Sequence, residues 1–194
     1  VAISDWLKKQ AESSYILNNY KIRRIYNNIN IQDFNFIRKE EARFNLNIDT
    51  KKKIILYGAQ NPQLNRKGWN ILIETIKKLD QSKYFLLIFG NFWSQKILDE
   101  IGIEYKSLGF IKDPKRLNLV YSCSDLFLSL SLQEAFGKTW AEALTCNIPV
   151  ICFKDSCASE IIDHKKNGYI VDGINAENLK SGIEWCSNFQ DSVQ

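Results

Sequence analysis

From Lys51 onward the chain alternates between runs of consecutive apolar residues and segments of helical character. The apolar runs fall at 54–58, 84–90, 126–130 and 149–153. A strand that is apolar on both faces has to be covered on both faces, and a parallel sheet flanked by helices does this. The alternation therefore predicts an α/β fold with a parallel sheet and helices on both faces. Helices are expected at 68–80, near 93–101, at 114–122 with Pro114 as first residue, from Gly137 onward, at 160–163 and at 176–186. A short strand is expected at 105–108 and an edge strand at 168–171.

Ligands of open α/β sheets sit beyond the carboxyl ends of the strands. Three such ends carry suggestive residues: 58–67, Gly90-Asn91 and 131–138. The third is the most informative. A strand-like run leads to Ser131, then to Glu134 in a short loop, Gly137, and a helical segment carrying Glu142, eight positions after Glu134. A helix beginning near Gly137 offers the free N–H groups of Gly137, Lys138 and Thr139 to an anion. Gly137 has no Cβ to keep the backbone from a ligand, and Lys138 adds charge. Helical side chains lean toward the N-terminus, so the Glu142 carboxylate can reach the same pocket. Two carboxylates would repel a phosphate. They suit neutral hydroxyls on either side of it, a ribose and a sugar. The alternative is plain: a Glu in a first helical turn that complements the dipole, and a Glu on a surface loop.

The block Glu134-Ala-Phe-Gly-Lys-Thr-Trp-Ala-Glu142 resembles the E-x7-E pattern of retaining glycosyltransferases of the GT-B fold, family 4. Ser131, Phe136-Gly137, Asn147-Ile-Pro149-Val150, Glu160-Ile161-Ile162 and Asn167-Gly168 match that pattern too. The specific part of the resemblance covers about residues 125–172, and weaker similarity runs over nearly the whole chain. It implies a Rossmann-like C-terminal, donor-binding domain of a GT-B enzyme. Glu134 would contact the donor-sugar hydroxyls, Glu142 the ribose, and the intervening amides the diphosphate. The full-length enzyme would move a sugar from a nucleoside diphosphate donor, with retention, to a polysaccharide or lipid-linked glycan. UDP-sugars are the preferred donor class and GDP-sugars the second, since both are common in that family.

The resemblance assigns Lys67, before Gly68, to the phosphates, with Arg66 beside it; a fixed cation there lowers the barrier to diphosphate departure. Many family members have Arg after the strand glycine Gly58, where this chain has Ala59. Gly109-Phe110-Ile111 resembles the loop that reads the nucleotide base, and Phe110 is either a stacking ring or core. Gly90-Asn91 matches a family glycine loop in part. Glu160 follows Ser-Cys-Ala-Ser where family members often have Gly-Gly, and is expected to cap structure rather than touch ligand. No two Asp residues stand two apart, so a D-x-D metal site is absent and a metal-free mechanism without cofactor is expected.

Before Lys51 the pattern is weaker. Residues 1–3 and 22–26 read as strands, and Ser4-Asp5 as the cap of a helix from Trp6 to about Ser13. The resemblance makes 1–30 a remnant of the N-terminal acceptor domain, 31–50 the interdomain connection with a short helix at 39–44, and 51–194 the donor-binding domain. The chain begins with Val, as a fragment would. The isolated fragment is expected to bind nucleotide without transferring sugar.

Composition narrows the alternatives. The formal net charge of +4 is mild, and the basic clusters at 21–24, 51–53 and 165–166 are solvated faces or contacts to a membrane surface or anionic substrate. Nucleic-acid binding needs a denser stripe. Five cysteines without a C-x-x-C pair, and one histidine, His164, give no zinc pattern and fit reduced thiols in the cytoplasm. No apolar run has transmembrane length, so membrane contact would be peripheral, at the inner face. Two other readings stay open: a nucleotide-binding module without activity, favoured by Ala59, and a nucleotide-sugar 2-epimerase on the same architecture.

Overall fold

The computed structural model describes residues 1–61, 64–92 and 95–189. Helices α1 (Asp5–Glu12) and α2 (Lys39–Asn45) precede the sheet. Then follow β1 (Lys53–Gly58), α3 (Trp69–Ile76), β2 (Tyr84–Phe89), α4 (Gln95–Leu98), β3 (Tyr105–Ser107), α5 (Pro114–Ser122) and β4 (Leu126–Ser129). The chain continues with α6 (Lys138–Thr145), β5 (Val150–Phe153), α7 (Ala158–Ile161), β6 (Gly168–Val171) and α8 (Ala176–Phe189).

The six strands form one parallel sheet in the order β3-β2-β1-β4-β5-β6. The order reverses between β1 and β4, where loops diverge and leave a crevice at the carboxyl edge. Period-two alternation divides the apolar strands between two cores. Ile55, Leu86, Leu126 and Ile151 face α3 and α8, whereas Ile54, Phe85, Phe127 and Val150 face α5 and α6. This is the predicted parallel sheet covered on both faces.

Asp125 fastens the preceding segment to the sheet. Its carboxylate, on a residue 2% exposed, accepts from Lys39 Nζ (2.6 Å), Arg43 Nη2 (2.8 Å) and the β1 amide of Ile54 (2.6 Å). Arg43 also donates to the carbonyls of Cys123 (3.0 Å) and Thr50 (3.2 Å).

Several boundaries differ from the sequence pattern. Residues 1–3 and 22–26 pair only through one parallel bridge, Ala2 with Arg24, because no further strand flanks them among the described residues. The third helix stops at Ile76, where i→i+3 bonds from Lys78 N and Leu79 N tighten the chain into a turn. Helix α7 begins before Glu160, since Ser156 Oγ accepts from Ala158 N (3.2 Å), and extended Ile162 ends it. The expected start of α4 at Trp93 lies outside the described residues. Helix α8 runs on to Phe189.

Candidate functional site

The loops after β1 and β4 meet because Leu132 N donates to Arg66 O (2.9 Å). They enclose a cleft of about 230 Å³ lined by Gly58, Ala59, Asn61, Arg66, Lys67, Ser131, Glu134, Lys138 and Thr139, among others. Residues 65–67 form a 3₁₀ turn that ends at Gly68, whose φ of +75° is left-handed. A Cβ there would lie 2.5 Å from Leu130 O, so the turn can press against β4 only with glycine. Tyr57 Oη donates to Lys67 O (2.9 Å), and burial holds that phenol far above its ordinary pKa, so it stays a neutral donor.

The Lys67 ammonium points into the cleft. It donates to Ser131 Oγ (2.8 Å) and lies 3.5 Å from Glu134 Oε2. The two charged side chains are only 18% and 26% exposed, so their attraction is less screened than that of a surface pair. Beside them α6 begins at Gly137 in left-handed conformation (φ 70°, ψ 54°), with no side-chain cap on the first turn. Lys138 and Thr139 from that turn line the cleft. A cation, a helix N-terminus and a carboxylate therefore converge on one recess. That combination suits an anion and a hydroxyl-bearing group side by side.

A methyl at Gly137 would sit 2.3 Å from Trp140 Cδ2 and carry an unfavourable φ. Gly137→Ala is expected to destabilise the fold by about 1–3 kcal/mol, read as a lower denaturant midpoint at unchanged slope.

Glu142 is placed differently from Glu134. It is 6% exposed, lies outside the lining of the cleft, and accepts from Tyr121 Oη (3.1 Å). Burial raises its pKa, offset in part by the Tyr121 hydroxyl and the Lys138 charge. The expected convergence of both carboxylates on one recess is thus not the arrangement seen: the Glu142 carboxylate is turned to the buried Tyr121 hydroxyl, and Glu134 borders the cleft without it. A carboxyl whose folded pKa is raised binds its proton more tightly when folded. Its relative stabilisation is full below the unfolded pKa and is lost as pH rises through the folded one. Glu142→Gln should therefore raise the melting temperature near neutral pH, by a margin that shrinks as the solution is acidified.

Gly90 and Phe110 stand apart from that recess. With Asn91, Phe92, Ser107 and Gly109 they line a neighbouring cleft of about 280 Å³, closed at its back by Gly90 N donating to Gly109 O (2.9 Å). Phe110 is 46% exposed, so its ring is available for stacking rather than core. Phe136 is buried in the loop between Glu134 and Gly137. Glu160 points away from both clefts, onto the start of α1, where Asp5 N and Trp6 N each donate to it at 2.8 Å. A larger cavity of about 480 Å³ lies by Pro149 and Phe189, near the amino ends of the strands, and holds none of the expected site residues.

Sequence reasoning missed Tyr121 and Asn61. Asn61 follows β1 closely and was open to inference, whereas Tyr121 meets Glu142 only through the packing of α5 on α6. Among the described residues no cluster of His, Cys, Asp and Glu could hold a metal ion, and no helix is long and apolar enough to cross a membrane.

The sequence pattern of the glycosyl transferases group 1 family matches residues 38–192. An uncharacterised glycosyltransferase of Methanocaldococcus jannaschii is 28% identical, over 95% of this chain and 49% of its own length. Among solved structures, sucrose-phosphate synthase of Thermosynechococcus elongatus superposes with a TM-score of 0.82 at 21% identity, over 97% of this chain and 50% of that one. The Anabaena protein HepE in complex with UDP-glucose gives 0.75 at 21% identity, over 98% and 57%. The chain spans about half the length of each of these proteins. Its Rossmann-like sheet is the fold of the matching part of these GT-B structures.

Proposed function

The chain belongs to the glycosyl transferases group 1 family, and on that premise we propose that it is the donor-binding half of a retaining, family 4 enzyme. The full-length protein moves a sugar from a nucleoside diphosphate donor to a polysaccharide or lipid-linked glycan acceptor. The observation that carries this reading is the group of Lys67, Ser131 and Glu134 beside the open first turn of α6. The complex of a structural neighbour with UDP-glucose supports it.

In this mechanism the diphosphate lies against Lys67, Arg66, Lys138 and the amides of Gly137 and Thr139. Glu134 accepts hydrogen bonds from the sugar, and Phe110 and Gly90 border the base. Glu142 reaches the ribose hydroxyls once its bond to Tyr121 is exchanged for them. The C1–O bond breaks with its electron pair going to the phosphate oxygen. The acceptor oxygen bonds C1 on the same face and gives its proton to the departing phosphate. Side-chain and helix charges stabilise that phosphate without a metal. Residues 1–30 belong to the acceptor-binding domain and 31–50 connect the two, so this chain alone binds nucleotide and does not transfer sugar. The enzyme works in the cytoplasm, at the inner face of the membrane where its acceptor is lipid-linked.

Ala59, in the cleft where many family members have Arg, favours a second reading, a module that binds nucleotide without transfer. Calorimetric titration with UDP and GDP tests the donor site. Tight binding of one nucleotide, weakened about tenfold in Glu142→Gln, is the expected result. Binding of neither by the full-length protein would sink the proposal. Transfer activity of the full-length protein separates the two readings.

A further inference from the structure

The loop that carries Glu134 is gripped from outside the cleft, at two points. The carbonyl of Glu134 accepts from Cys157 N (3.3 Å), the residue that caps α7. Phe136, 8% exposed yet in neither hydrophobic core, meets the ring of Tyr26 with centroids 6.2 Å apart. Both grips lead to Glu160. It stands three residues after Cys157, and it accepts the Tyr26 hydroxyl at 3.2 Å. The same carboxylate accepts Asp5 N and Trp6 N, both at 2.8 Å, across 155 and 154 positions of chain. Arg24 closes the group by donating to Tyr26 Oη (2.7 Å) while pairing with Asp5. The Cys157 thiol is buried at the start of α7. Burial, with the charges of Glu134 and Glu160 adding to it, pushes its pKa up to about 12.

We propose that Glu160 and Tyr26 are positioning residues for the donor sugar: they fix the Glu134–Phe136 loop to the N-terminal segment and thereby hold the Glu134 carboxylate at the cleft. The inference rests on the cleft being a nucleotide-sugar site. Its consequence is selective. The nucleotide and diphosphate are held by Lys67, the start of α6 and the neighbouring cleft, which Glu160 does not touch. The sugar is held by Glu134, whose loop Glu160 and Tyr26 steady. A neutral amide at 160 accepts from one backbone N–H and turns its own N–H toward the other, so Glu160→Gln breaks the cap without changing its size.

The test compares UDP with UDP-glucose on wild type, Glu160→Gln and Tyr26→Phe, with amide hydrogen exchange on the same proteins without nucleotide. Glu160→Gln should lose about tenfold in affinity for UDP-glucose and less than twofold for UDP. Tyr26→Phe should lose less, in the same sense. The Cys157 amide, which donates to Glu134 O, should exchange faster in both variants, while those of β4 and β5 stay within twofold, which a global loss of stability would not produce. Equal losses for both nucleotides, or unchanged exchange at Cys157, overturn the proposal. Wild-type protein that binds neither nucleotide, but shows the expected exchange, overturns the donor reading and with it the role in sugar positioning, leaving the coupling as structure only.

Discussion

Asp125→Ala is expected to lower the stability of the fold by about 3–5 kcal/mol. The carboxylate is almost fully buried and answers three donors at once, two of them cations and one the backbone of the central strand β1. Removing it leaves Lys39 and Arg43, themselves only 20% and 18% exposed, beside a void, and leaves Ile54 N without its acceptor. An uncompensated charge and an orphaned amide each cost more than the net worth of the bonds they lose. Asp125→Asn keeps one acceptor for Ile54 N and loses the charge, so it should fall between wild type and the alanine variant. Arg43→Ala combined with Asp125→Ala should destabilise less than the sum of the two, since the stranded cation is then gone. Urea unfolding at unchanged slope measures all four. A loss under 1 kcal/mol for Asp125→Ala would show that α2 is held by its apolar contacts alone. The variant should also release 38–50 to proteolysis before the sheet unfolds, because Asp125 is the point where that segment is tied to β1.

The fold was legible where burial is two-sided. Runs such as 84–89, short, apolar throughout and alternating with helical segments, fit a covered parallel strand, and the sheet follows from four of them. Helix ends were less legible, because they depend on single bonds such as Ser156 Oγ to Ala158 N. The N-terminal strands were misread for a related reason: an apolar run shows that a strand is possible, not that it has two neighbours. At the site, Lys67, Ser131 and Glu134 could be brought together in advance since each follows a strand and the carboxyl edge is shared. Glu142 could not be placed, because its partner Tyr121 lies on another helix and nothing local marks the pair. The role of Glu160 toward α1 depends on contacts more than 150 positions apart, which no spacing encodes.

If the full-length protein is the transferase proposed above, Lys67→Ala should lower its kcat by about 10²–10³ and leave the fold intact. Departure of the diphosphate concentrates negative charge on the bridging oxygen, and a cation already in place stabilises it without reorganisation. The Lys67 ammonium is held in position at the cleft: Ser131 Oγ and Glu134 Oε2 flank it, and Tyr57 Oη bonds its backbone carbonyl. Lys67→Arg should restore little. A planar guanidinium is bulkier than an ammonium and donates in a fixed fork, so it cannot keep a 2.8 Å bond to Ser131 while facing Glu134 as a point charge. Ser131→Ala removes one of the two groups that aim the lysine and should cost about tenfold in kcat, with nucleotide affinity nearly unchanged. The decisive comparison is kcat against the Kd of the product nucleotide. If Lys67 acts on the leaving group, Lys67→Ala lowers kcat more than it weakens nucleotide binding, because the charge it meets is larger in the transition state than in the bound donor. Equal losses in both would assign Lys67 to ground-state binding alone, and the task of stabilising the departing phosphate would then rest on Arg66, Lys138 and the start of α6.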